Sequence, residues 1–118
     1  MSAKAKSYDA DLIRTIDNYT SEGLHGCTTC KQNILVQIRI EGDVIADAGG
    51  SADGCEYSRQ CLAALLSTIK GMDVADAYAL TNEDLHPKMA KVNPKLDCDT
   101  FTVGALKIAL RNWEKKAA

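Results

Sequence analysis

The chain reads as an α+β domain, a small antiparallel β-sheet of about three strands with helices packed on one face. Three observations predict this. Apolar residues alternate at every second position from Ile34 to Ile40. From Glu56 onward they recur at helical spacing instead. Strands and helices also fall in separate blocks of the chain rather than interleaved, which favours an antiparallel sheet with segregated helices. The 118 residues are the length of one ordinary domain, so a single unit over 1–118 is expected, with an N-terminal helix and loop over 1–29.

Taken in order, Asp9 to Asn18 carries Leu12, Ile13 and Ile16 on one face of a short amphipathic helix. Thr20 to Thr29 is polar and contains Gly23, His25, Gly26 and Cys27, the composition of a loop. Ile34, Val36, Ile38 and Ile40 point one way and Gln37 and Arg39 the other, so this stretch is a half-buried strand. Glu41-Gly42-Asp43 makes a tight turn, and Val44 to Ala48 returns as a second strand. Gly49 to Gly54 is either a weak third strand or a loop, because glycines and small residues pack poorly in strands.

The middle helix starts at Glu56, runs through Tyr57, Cys61, Ala64, Leu65 and Ile69, and is closed by Gly71. Asp73 caps a shorter helix through Val74, Ala77, Tyr78 and Leu80. Asn82 caps another short helical stretch interrupted by Pro87, and Pro94 ends the connecting segment. A last helix spans about Thr100 to Lys115, with Phe101, Val103, Leu106, Leu110 and Trp113 facing the core. Arg111, Lys115 and Lys116 near its end suit the negative pole of the helix dipole.

Fourteen basic against sixteen acidic residues leave a net charge of −2, which gives no reason to expect nucleic acid as a partner. No apolar run approaches a membrane span, so no membrane partner is expected. The polar start, Met1 to Ser7, has no hydrophobic stretch behind its lysines and is not a secretory signal. The expected location is therefore cytoplasmic, or an organelle matrix after removal of a transit peptide. No Ser/His/Asp triad, phosphate loop or acid–base carboxylate pair is visible, and an independent enzyme is not expected.

Five cysteines stand out in that setting. A reducing compartment favours metal binding or thiol chemistry over disulfides, and an odd number cannot pair completely within one chain. Cys30 precedes the first predicted strand, Cys55 opens the middle helix, and Cys98 lies in the first turn of the last. Such junctions are accessible yet rigidly supported, which suits a ligand set for a metal ion or a small iron–sulfur cluster. Thiolates at helix N-termini are stabilised by unpaired N–H groups and the positive dipole end, which favours Cys55 and Cys98. Cys61 lies nearly two turns into its helix among apolar neighbours and reads as core. The pair Cys27-Thr-Thr-Cys30 precedes a strand, whereas a thioredoxin-like redox pair opens a helix, so the redox reading is discounted.

Three stretches carry a resemblance to a known family. The first is Cys30-Lys-Gln-Asn-Ile-Leu-Val-Gln-Ile38. The second is Gly54-Cys55 with its helix ending Ile69-Lys-Gly-Met-Asp-Val-Ala-Asp-Ala77, then Thr81-Asn-Glu-Asp-Leu85. The third is Lys95-Leu-Asp-Cys98 leading into Ala105-Leu-Lys-Ile-Ala-Leu110. They resemble the U-type iron–sulfur cluster scaffolds (IscU, SufU and the NifU N-terminal domain), and the resemblance covers roughly 30–116, including the cysteine spacings of 25 and 43 residues. It implies a small antiparallel sheet with helices. It also implies a scaffold or carrier that accepts sulfur from a cysteine desulfurase, binds a [2Fe–2S] cluster and passes it to recipient apo-proteins. Carried over, Cys30, Cys55 and Cys98 are the cluster ligands and sulfur acceptors. Gln32 stands where the family usually has an aspartate, and Asp97 where it often has a histidine.

The sequence offers its own fourth ligand. Cys27 is close enough to Cys30 for both to bind one centre, and a set of Cys27, Cys30, Cys55 and Cys98 suits either a [2Fe–2S] cluster or tetrahedral Zn²⁺. Asp97 is the second candidate, with helix capping an equal reading of it, and His25 is the third. His86, beside Pro87, reads as a surface residue, and Lys31 and Arg59 as solvated charges. Two other functions remain open: a zinc-dependent persulfide acceptor of the SufU type, and an interaction domain with structural zinc. A homodimer sharing a cluster is also open.

Overall fold

A computed structural model describes residues 12–27, 32–52, 56–89, 92 and 98–117. Its sheet is a meander of β1 (Ser21–Cys27), β2 (Gln32–Glu41) and β3 (Val44–Ala52), antiparallel throughout with β2 in the centre. The helices follow: α1 (Glu56–Ile69), α2 (Val74–Tyr78), a 3₁₀ helix (Asn82–Lys88) and α3 (Cys98–Ala117). The expected α+β class and three-stranded sheet are found.

The alternation in β2 sets the core. Ile34, Val36 and Ile38 are fully buried on one face. The register brings Ala52, Gly50 and Ala48 of β3 and His25, Gly23 and Ser21 of β1 to the same face. Helices α1 and α3 close over it, contributing Leu62, Leu65, Leu66 and Ile69 from the first and Leu106, Ala109 and Leu110 from the second. A two-residue connection joins β2 to β3, with Gly42 at φ 64°, a left-handed conformation that other residues adopt at a cost.

Seating α3 on β1 requires β1 to be small on its inner side. A Cβ on Gly23 would run into the backbone of Ala105 and Ala109. Beside it, the Ser21 hydroxyl donates to the Ala109 carbonyl at 2.7 Å, and the Asn112 amide donates to the Glu22 carbonyl at 2.9 Å.

Five sequence expectations change. Residues 12–20 form no α-helix. Their apolar side chains are satisfied by packing against the sheet instead, with the Gly50 N–H donating to the Arg14 carbonyl at 2.7 Å and the Ile16 N–H to Gln37 Oε1 at 2.8 Å. Residues 9–11 of that expected helix lie outside the described residues. The supposed polar loop is largely β1; its serine and glycine are what the helix interface demands, so a helix-facing edge strand looked like a loop in composition. Gly49 to Ala52 complete β3 rather than forming a loop. The last helix begins at Cys98, earlier than expected, and Thr81 rather than Asn82 caps the 3₁₀ helix through a reciprocal bond pair with Asp84. Pro94 lies outside the described residues.

Replacing Gly23 by alanine is expected to destabilise the fold by about 1–3 kcal/mol through overpacking against α3. Urea unfolding measures this, and a variant as stable as the parent would mean that α3 is not seated on β1 at this point.

Candidate functional site

One end of the molecule gathers the element termini. Cys27 of β1 pairs with Gln32 of β2, and Ile34 with Ala52 of β3, so the end of β1, the start of β2 and the end of β3 lie side by side. Helix α1 begins four residues beyond Ala52. The first turns of α1 and α3 meet where the Ser58 hydroxyl donates to Cys98 Sγ at 3.3 Å. His25, near the end of β1, packs its ring on Phe101 of α3 with centroids 4.8 Å apart. Gly104 makes room for that ring, since a Cβ there would lie 2.7 Å from His25 Cδ2.

Cys98 is the first residue of α3 and has no exposed surface. Its carbonyl accepts a 2.6 Å bond from the Thr102 hydroxyl, and its sulfur sits at the helix end, where backbone N–H groups lack intrahelical partners. The next residue, Asp99, is buried at 6% exposure. Its Oδ2 accepts from the His86 ring at 2.8 Å and from the Asn82 amide at 3.3 Å, while Oδ1 accepts from the Thr100 N–H at 2.8 Å.

Of the sequence-predicted ligands, Cys98 is placed with its side chain. Cys27 ends β1 by its backbone, its side chain lying outside the description, and Cys30, Cys55 and Asp97 fall outside the described residues. Among the described residues no three His, Cys, Asp or Glu side chains gather as a metal site. His25 is a wall of the β1–α3 interface. Cys61 is fully buried in the core, as expected. His86 is not a surface residue but half-buried against Asp99. Sequence reading missed both it and Ser58, although Asn82 and His86 in one short helical stretch were a faint sign of a shared face.

Two grooves border α3. One of about 420 Å³, near Cys98, is lined by His25, Thr100, Val103, Gly104, Lys107 and Arg111 among others. The other, about 660 Å³ and lined by Asp43, Asp73, Tyr78 and Trp113 among others, lies at the far end of α3 and carries no thiol or imidazole.

The family model for the NifU-like N-terminal domain matches residues 11–118. The chain belongs to the NifU-like N-terminal domain family. This NifU-like domain is 30% identical over 99 residues to iron sulfur cluster assembly protein 1 of Trachipleistophora hominis, covering 84% of the chain and 72% of that protein. It is 30% identical over 91 residues to the iron–sulfur cluster assembly protein IscU of Plasmodium falciparum, covering 77% of the chain and 56% of the relative. In fold it is similar to the crystal structure of the N-terminal NifU-like protein of Brucella abortus, with a TM-score of 0.72, 10% identity, and coverage of 90% of this chain and 87% of that one.

Because Cys61 is a core residue, iodoacetamide is expected to leave it unlabelled in the native domain and to label it in urea, while Cys61→Ala costs about 1 kcal/mol. Rapid labelling of Cys61 in the native state would return it to the candidate ligands.

Proposed function

We propose that this NifU-like domain is an assembly scaffold that takes sulfur from a cysteine desulfurase, builds a [2Fe–2S] cluster as cargo on Cys30, Cys55 and Cys98, and passes it to apo-proteins in a reducing compartment such as the cytoplasm. The observation that carries this reading is Cys98 itself: a thiol at the first residue of a long helix, with a serine hydroxyl on its sulfur, at the end of the molecule where the other element termini meet. The names of the Trachipleistophora and Plasmodium relatives support it.

Sulfur delivery needs a thiolate. A Cys98 thiolate attacks the outer sulfur of the donor's persulfide, the donor S–S bond breaks with its inner sulfur leaving as thiolate, and a new S–S bond forms at Cys98 with no net oxidation; converting that sulfur to cluster sulfide takes two electrons from an external reductant. The Ser58 hydroxyl holds the sulfur that would attack. We assign the fourth cargo ligand to Cys27 rather than Asp97 or His25. The His25 ring packs on Phe101 of α3, which fixes its orientation. Gln32 in place of the usual aspartate leaves an all-thiolate set, from which transfer to an apo-protein is expected to be slow.

The test is iron and acid-labile sulfide in anaerobically purified protein, with an absorption spectrum, repeated for Cys98→Ser and Cys27→Ser. Iron matched by sulfide in the parent, and loss of both in each variant, is the expected result. Zinc without sulfide would replace the scaffold reading with that of a zinc-dependent persulfide acceptor, if the protein accelerates a desulfurase, or of a structural-zinc domain, if it does not. Ser58→Ala is expected to weaken Zn²⁺ binding by the apo-protein about ten- to a hundredfold in competition with a chromophoric chelator. Unchanged affinity would remove Ser58 from the site.

A further inference from the structure

The carboxylate of Asp99 has no part in the reading above, yet it is the most heavily engaged acidic group among the described residues. Burying a carboxylate is costly unless hydrogen bonds satisfy it. Asp99 is 6% exposed, and four donors reach it: the His86 ring, the Asn82 amide, and the Thr100 N–H and hydroxyl. Both cross-chain donors come from the 3₁₀ helix. That helix is itself fixed, by the Thr81–Asp84 bond pair at its start and by Leu85, fully buried, in its middle.

Asp99 and Cys98 share one peptide unit in the first turn of α3, the part of a helix that lacks intrahelical partners for its N–H groups and frays most readily. Cys98 is held from α1 through Ser58, and Asp99 from the 3₁₀ helix through His86 and Asn82. The two side chains anchor the same helical turn to two different elements.

We propose that Asp99 is a positioning residue for Cys98: gripped by His86 and Asn82, it locks the first turn of α3 so that the Cys98 sulfur stays on the Ser58 hydroxyl. The significance for sulfur chemistry rests on the scaffold reading, but the positioning does not. The two fail separately, since absence of iron and sulfide in the parent protein would sink the scaffold and leave the lock standing. A side chain serving only general stability would raise the exposure of every buried thiol when removed; a positioning residue changes Cys98 alone.

The experiment is the rate of iodoacetamide modification of Cys98 and of Cys61, read by peptide mass spectrometry on the full-length apo-protein at fixed pH. The variants are Asp99→Ala, His86→Ala and His86→Gln, the last keeping an N–H donor within reach of the carboxylate. Loss of a hydrogen bond to a charged group is expected to speed Cys98 modification about tenfold in Asp99→Ala and His86→Ala. Cys61 keeps its parental rate, and His86→Gln returns Cys98 most of the way to the parent. Parental Cys98 rates in both alanine variants, a parallel rise at Cys61, or a glutamine variant no different from His86→Ala would each overturn the proposal. If Asp99→Ala does not fold, the two His86 variants decide it alone.

Discussion

The architecture depends on the seating of α3 against β1. That strand is the edge of a three-stranded sheet, and an edge strand with a bare inner face is neither stable nor safe from pairing with other chains. Gly23 lets the helix backbone come close, the Ser21 hydroxyl bonds the Ala109 carbonyl, and Gly104 admits the His25 ring. Once the helix lies there, its direction is set, and its first residue is brought to the end of the sheet where β1 stops and β2 starts. The position of Cys98 is thus a consequence of packing along the length of α3, and of small residues some distance from the sulfur.

This explains what could be read from the chain and what could not. Strand β2, α1 and the body of α3 were legible because their burial is paid in large apolar side chains, Ile34, Val36, Leu65 and Leu106 among them, whose spacing reveals the period. Strand β1 was illegible for the opposite reason. Its inner positions are Ser21, Gly23 and His25, chosen to fit against a helix backbone, and such residues carry no hydrophobic period. Residues 12–20 misled in a complementary way: Leu12, Ile13 and Ile16 sit at helical spacing, but the bonds of Arg14 and Ile16 go to the sheet, and long-range partners overrode the local pattern.

Of the candidate ligands, the placement of Cys98 at a helix start was legible for a chemical reason. Cysteines at element boundaries are conspicuous in a chain of this composition, and Cys98 is found at a helix start. The supporting polar groups were not legible. Ser58, Asn82, His86 and Asp99 are ordinary surface residue types, and only the folded chain shows that they converge on one helical turn. Spacing in sequence points to candidate ligands; groups that orient them are drawn from any element that passes nearby.

A scaffold must hold its cargo in a defined geometry and still let it go, and these demands pull on different parts of the site. Affinity comes from the number and softness of the sulfur ligands, whereas geometry comes from how firmly each is held before cargo arrives. In this chain the candidate ligand Cys98 is held in this way, where α1 and the 3₁₀ helix fix one helical turn through side-chain hydrogen bonds. A ligand anchored in this way loses little conformational entropy when cargo binds, so its rigidity favours capture. For a ligand held in this way, release calls for a competing thiolate that displaces it. Rigid support before capture and displacement at release is the division of labour that the seating of α3 makes available to a thiol at Cys98.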